Sequence, residues 1–393
     1  MKFDKNSLYY ITTKLLGKRY SLFDLAKWKN GLAFRKIDFS DKGLPVIKIA
    51  ELNNGITAST SFTQGKYSEE VFLTKGDMVF SWSGNPQTSI DVFRYNLQDG
   101  WLNQHIFKVV ANEDIVDKEY LYYVLKYLKL NFTQIATNKQ TTGLGHVTLS
   151  DIKRISVVVP NNSVQKSIVG ILKAIDDKIL LNNAINDNLL QQAQAIFKSW
   201  FVEFEPHNGV IPSDWRISTL AETTEMSAGG DKPKILSMTK SRECPYPVYS
   251  NGLLDEGLYG YTNIPKIKDE SVTVSARGTI GFICLRHIPY VPIVRLITLI
   301  PNTALISAKY LYLYLKQLHI SGTGTTQQQL TVPDFKKTEI LIPSKDMMDR
   351  FSTIVTPMFN SIWYHQEQNE KLIALRDSLL PKLISGELDV SEI

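Results

Sequence analysis

The residues in this 393-residue chain that could do chemistry are suited to contact rather than bond breaking. Two loops, Thr137–Gly145 and Ser321–Gln329, are rich in Thr, Gln and Gly. A Gln side chain can bond adenine at two atoms, and a Ser or Thr hydroxyl can meet either a base or a phosphate. Gly lets backbone approach a duplex closely. Lys139, Gln140, Thr141 and Thr142 in the first loop, and Thr325, Thr326, Gln327 and Gln328 in the second, are the candidates for such contacts. A second polar set stands around expected strand ends: Lys48, Asn53, Ser83, Asn85, Gln87 and Arg94, with Ser250, Asn251, Ser275 and Arg277 as counterparts. Arg277 suits guanine O6 and N7, or a phosphate. The same residue types also make ordinary solvated loops, and type alone does not separate the two readings.

Motifs for catalysis are missing. Gly65-Lys66 is followed by Tyr67 and lacks the earlier glycine of a phosphate loop, and no G-x-G-x-x-G follows a strand. The six histidines (105, 146, 207, 287, 319 and 365) show no metal-ligand spacing. Gly84-Asn85-Pro86-Gln87 approaches the Asn-Pro-Pro-aromatic motif of DNA amino-methyltransferases, but it lacks the second proline and the aromatic, and it reads as a turn. Cys244 and Cys284 are too few for a disulfide framework or a four-ligand zinc site. They fit a reducing cytoplasm, as does an N-terminus without the apolar core of a signal peptide. No apolar run approaches the roughly 18 residues of a membrane span.

The elements that must position these loops repeat. Residues 147–160 read VTLSDIKRISVVVP and residues 330–343 read LTVPDFKKTEILIP, at a constant offset of 183. Tyr120-Leu-Tyr-Tyr-Val-Leu-Lys126 recurs as Tyr310-Leu-Tyr-Leu-Tyr-Leu-Lys316. Each block shows short strands (45–50, 77–82 and 105–110; 247–249, 271–275 and 293–300). A helix follows at about 118–130 or 308–318, and then a strand ends at Pro160 or near Pro343. Beyond it the apolar stripe Ile168, Ile171, Ile175, Ile179, Ile185, Leu189, Ala193, Ile196 and Trp200 predicts a helix from about 164 to 201. Its copy carries Phe351, Ile354, Met358, Ile362, Leu372, Leu375, Leu379 and Leu383. Asn182 and His365 stand in the two stripes at the same offset, where a polar residue can fix the register of paired helices. Antiparallel pairing of the two helices is expected, about 55 Å long at 1.5 Å per residue. Pro357 is expected to bend or break the second one.

Charge divides along the same lines. Residues 1–160 carry 21 basic against 15 acidic residues and residues 206–343 carry 14 against 11, while 161–205 and 344–393 are net acidic. A basic excess confined to two blocks fits phosphate binding. Lys153/Arg154 and Lys336/Lys337 recur at the foot of each long helix, to grip phosphates or to cap a solvated edge.

In this order and duplication the chain resembles the specificity subunit of type I DNA restriction-modification enzymes. The pieces that carry the resemblance include Gly76-Asp-Met-Val-Phe-Ser-Trp-Ser-Gly84, Leu102-Asn-Gln-His-Ile106, Leu149–Pro160 with Gln165 beginning a helix, Pro247-Val-Tyr-Ser-Asn-Gly252 and the ending Leu383-Ile-Ser-Gly-Glu-Leu388. The resemblance implies an α+β fold with two target recognition domains, 1–160 and 206–343, in pseudo-two-fold arrangement. Helices in 161–205 and 344–393 would form an antiparallel coiled-coil spacer between them. It further implies that each domain reads one half of a split, asymmetric double-stranded DNA site. The helices would set the gap and dock two methyltransferase subunits, with restriction and translocase subunits joining them. S-adenosylmethionine, ATP and Mg would then sit on the partners, with no cofactor, metal or catalytic residue in this chain and no membrane association. Before about residue 110 the two blocks share little sequence, as expected if they read different half-sites. Two other readings remain open: a stand-alone structural or regulatory DNA-binding protein of the same design, and an enzyme with an unfamiliar site.

Overall fold

In a computed structural model of the chain, which describes residues 9–10, 14–140, 143–320 and 329–390, the repeated block forms the same local structure twice. Thr148 caps the short helix Leu149–Arg154: its hydroxyl accepts from Asp151 N, and the Asp151 carboxylate accepts from Thr148 N at 2.7 Å. Thr331 caps Val332–Phe335 in the same way, accepting from Asp334 N. A side-chain acceptor here satisfies a backbone N–H that has no partner in the first turn. Each short helix then feeds a strand, Ile155–Pro160 or Glu339–Ile342, that pairs antiparallel with Gly17–Ser21 or Arg216–Thr219. Each strand in turn enters a helix of 40 residues, Asn162–Phe201 or Lys345–Ile384.

The chain divides into two compact units, residues 1–181 with 369–393, and residues 182–368. Unit 1 holds a four-stranded antiparallel sheet in the order Ala26–Asn30, Ile106–Ala111, Met78–Ser81, Asp91–Arg94. Unit 2 holds its counterpart, Thr224–Ala228, Ile297–Pro301, Ser271–Val274, Ile283–Arg286. A second sheet in each unit contains one parallel pair, Val46 beside Trp101 in unit 1 and Val248 beside Val291 in unit 2. The repeat therefore extends through the stretch where the sequence match fades.

Each unit takes part of each long helix into its core. Ile168 and Leu172 of the first helix, and Leu383 and Ile384 of the second, are buried with Phe80, Tyr120 and Phe132 in unit 1. Ala193, Phe197 and Phe201, with Phe351, Val355 and Phe359, are buried around Tyr310 in unit 2. The two long helices pair antiparallel. Asn182, fully buried, donates to Gln368 Oε1 at 2.8 Å, and His365 Nδ1 lies 2.9 Å from Asn186 Oδ1. The two polar positions therefore do not meet each other; each finds an amide about one turn along the partner helix.

Three expectations need correction. Pro357 does not interrupt the second helix, which is continuous across it. Val355 and Phe359 on either side are buried, and that packing outweighs the roughly 3 kcal/mol a mid-helix proline costs. The segment expected as one helix from 118 to 130 is two, Lys118–Tyr127 and Lys129–Asn138, and the second buries Phe132, Ile135 and Ala136. The strand expected over 293–300 begins only at Ile297, because Val294 and Arg295 form a turn at positive φ.

Candidate nucleic-acid interface

In each unit, one end of the four-stranded sheet gathers the same loops. Ser81 pairs with Ile106 and with Asp91, so the segments 82–90 and 103–105 leave unit 1's sheet at a common end. Asn103 N donates to Ile47 O at 3.0 Å, which brings in Lys48 and the helix Ile49–Asn54. Val147 N donates to Trp82 O at 2.8 Å, returning the polar loop to the same place. In unit 2, Val274 pairs with Ile297 and Ile283. Ile293 N donates to Tyr249 O at 2.9 Å, and Leu330 N to Ala276 O at 3.0 Å. These hydrogen bonds correspond one to one between the units.

Most of the sequence candidates fall at this end. Lys48 caps its helix and donates to Ser61 Oγ at 2.9 Å, with its ammonium 5.2 Å from the Phe39 ring centroid. Asn53 is exposed at the helix end, and Ser83 pairs in a short ladder with His146. Asn85 accepts from Gln87 N through its side chain, fixing the turn that leaves Gln87 exposed. Lys139 is engaged by both Asp151 oxygens at 2.6 Å. Burial opposes ionisation of Asp151, but Lys139 and Thr148 outweigh it and hold the carboxyl below its ordinary value. Gln140 is exposed. In unit 2, Ser250 is half-buried and Ser275 fully so, which removes Ser275 from direct contact. Asn251 is a brace: Oδ1 accepts from Ala276 N at 2.8 Å and Nδ2 donates to Val294 O at 2.6 Å. Arg277 is exposed and donates to Gln329 Oε1 at 3.0 and 3.2 Å. Thr141, Thr142, Thr325, Thr326, Gln327 and Gln328 lie outside the described residues.

Arg94 does not belong with this set. It pairs with Met78, at the opposite end of the sheet from Asp91 and Ser81. There its guanidinium bonds Glu119 at 2.7 Å and Asp176 at 3.0 Å and stacks 3.7 Å from the Tyr122 ring centroid. Asp176, on the first long helix, also accepts from Tyr123 OH at 2.7 Å and from Arg376 of the second long helix at 3.1 Å. Burial would raise the Asp176 carboxyl, but these three donors outweigh it and the pKa is lowered. At the equivalent end of unit 2, the His287 ring stacks on Trp363 with centroids 4.1 Å apart, and Lys309 bonds both oxygens of Glu270. Burial, Lys309 and Arg286 push His287 down to about 4, so it is neutral at physiological pH. One sheet end thus anchors on the long helices and the other presents loops.

Sequence reasoning missed the turns 103–105 and 293–295 and the glycines under them, Gly31 and Gly229. A glycine just beyond the first strand of the four-stranded sheet in both blocks was an available signal. The turns themselves gave none, because His, Val and Arg do not announce left-handed backbone.

Among the described residues, no group of three or more His, Cys, Asp or Glu is placed to hold a metal, and no helix is long and apolar enough to cross a membrane. Each unit takes part of both long helices into its core and carries a loop cluster of its own composition. Residues 18–191 and 212–373 each match the type I restriction modification DNA specificity domain, and the chain belongs to that family. It is 25% identical to the type I restriction enzyme MjaIX specificity subunit of Methanocaldococcus jannaschii over 73% of each chain. It is 23% identical to the HindI specificity subunit of Haemophilus influenzae over 94% of this chain and 99% of that one. Its fold is similar to the S subunit of a type I restriction-modification system from M. genitalium, with a TM-score of 0.58 at 17% identity, covering 100% of this chain and 99% of that one.

Proposed function

We propose that this chain is the DNA-reading subunit of a type I restriction-modification enzyme and carries no catalytic centre of its own. Each unit reads one half of a split, asymmetric site through the loops at the presenting end of its sheet. The paired helices set the gap between half-sites and dock two methyltransferase subunits. Those subunits and the restriction and translocase subunits hold the S-adenosylmethionine, ATP and Mg, and the assembly works in the cytoplasm. The observation that carries this reading is one topology built twice with different residues in its presented loops: a shared frame and two separate readers. Phosphate contacts give affinity and base contacts give specificity, so a reader can change its loops and keep its frame.

Co-expressing the chain with its methyltransferase partner and mapping methylated adenines tests the proposal. The expected result is a bipartite asymmetric site. Exchanging residues 206–343 for another family member's block should alter one half-site and spare the other; loss of both at once would sink modular reading. A stand-alone DNA-binding protein would instead bind its site and form no stable complex with a methyltransferase chain.

A further inference from the structure

The turn that enters the central strand shares two backbone hydrogen bonds between the units although its residues differ. Gln104 N donates to Leu32 O at 2.7 Å and Gly31 N to Ile106 O at 3.0 Å; in unit 2, Val294 N donates to Gly230 O at 2.9 Å and Gly229 N to Leu296 O at 2.8 Å. Each turn presses on a glycine. A Cβ on Gly31 would lie 2.1 Å from Asn103 O, and one on Gly229 would lie 2.7 Å from Ile293 N. Each turn also holds side-chain-bearing residues in left-handed backbone: His105 at φ 73°, Val294 at 53° and Arg295 at 61°. That region is disfavoured for any residue with a Cβ, and most for a β-branched one such as Val294.

Glycine at these tips would relieve the strain, yet the chain places large side chains there and presents them. Gln104 and His105 are exposed ahead of buried Ile106; Val294 and Arg295 are exposed ahead of buried Leu296. The turns are braced from the neighbouring loops, by Trp82 N donating to His105 O at 3.1 Å and by the Asn251 amide donating to Val294 O. The His105 ring lies 5.1 Å from that of Trp82. Among the described residues the Arg295 guanidinium has no hydrogen-bond or ion-pair partner. Backbone position is thus fixed twice, while side-chain identity is free to differ. Strain of this kind, held in place by its surroundings, gathers where a side chain must be aimed.

We propose that the turns Asn103–His105 and Ile293–Arg295 are specificity-determining, with Arg295 reading a guanine in the major groove and His105 holding the equivalent place for the other half-site. The assignment rests on the DNA-reading function proposed above and names the side chains that perform it. A guanidinium offers a fork of donors that matches guanine O6 and N7, whereas an imidazole offers two single ring nitrogens that do not form such a fork. The two turns therefore suit different base edges, as an asymmetric site requires.

The full chain, co-purified with its methyltransferase partner, is presented with a pool of randomised duplexes, and bound sequences are read for wild type, Arg295→Ala, Arg295→Lys and His105→Ala. Both residues are exposed, and thermal unfolding checks that the fold is retained. Arg295→Ala is expected to flatten the preference at one base pair of one half-site by roughly ten- to a hundredfold. The other half-site should be unchanged, and Arg295→Lys should restore affinity but not the preference. His105→Ala should act on the opposite half-site. A uniform loss of affinity with every base preference intact would make Arg295 a phosphate contact and overturn the assignment, as would no change at all. A wild-type chain that selects no sequence would bring down the DNA-reading proposal itself, and this assignment with it.

Discussion

At the scale of single residues, Asp176 shows what residue type could not reveal. Its carboxylate receives Tyr123, Arg94 and Arg376, joining a sheet end, a short helix and both long helices within unit 1. A folded-state pKa held below the unfolded value of about 3.9 gives stability that is complete above that value and lost as pH falls through the folded pKa. Asp176→Asn is therefore expected to lower stability at pH 7 by on the order of 3 kcal/mol, because two cations lose a nearly buried partner. The gap from the parent should narrow below about pH 4. Urea unfolding at pH 7 and pH 3 measures both, and an equal gap at the two values would show that the charge is not what matters. Arg94 was legible as a polar residue near a strand end. Which end was not legible, since strand register follows from pairing partners far along the chain. Asn251 was legible as polar and close to the loops, but its role as a brace depends on Ala276 and Val294, which no local pattern ties to it.

At the scale of elements, the long helices were the most legible part of the chain. An apolar stripe with a mean step of 3.6 fixes the helix and most of its buried face. Ile168, Ala193, Phe351 and Leu383 are fully buried, but Ile354 and Leu375 of the expected stripe are exposed and Val355 and Phe359 are buried instead. Proline, judged locally, misled: Pro357 sits inside an unbroken helix because its neighbours are packed on both sides. The seam contacts Asn182–Gln368 and Asn186–His365 lie close to the point where the 183-residue offset maps one helix onto the other. Deleting one turn, about 5.4 Å, from both helices near this seam is expected to shorten the tolerated gap between half-sites by one or two base pairs. Methylation-site mapping of the shortened protein checks this, and an unchanged gap would show that the helices do not set the spacing. The short helix Lys129–Asn138 was hidden because its buried positions, Phe132, Thr133, Ile135 and Ala136, include a polar residue and stand among Asn, Thr and Gln.

At the scale of the whole molecule, the repeat was legible where the chain packs on itself, in the helix that carries Tyr120 or Tyr310, the capped turn, the strand that follows it and the long helices. Upstream, different residues build the same strands in the same order, because a strand needs buried alternate positions and a compatible turn rather than a particular sequence. Neither the antiparallel sheets nor the single parallel pairs of the second sheets were therefore legible as a repeat. One consequence lies in how the chain closes. Lys14 N donates to Ser385 O at 2.6 Å, and a Cβ on Gly386 would lie 2.7 Å from Leu15 N, so an early and a late segment are neighbours in unit 1. Asn208–Ile211, after the first long helix, is an exposed stretch. A circular permutant opened there, with Lys14 joined to the segment after Gly386 through a short Gly/Ser linker, is expected to fold and to direct methylation to the same site. Loss of folding in that variant would show that chain order is itself required. If order is dispensable, which half comes first is an accident of where the gene is opened, and recombination could reverse the readers without disturbing either.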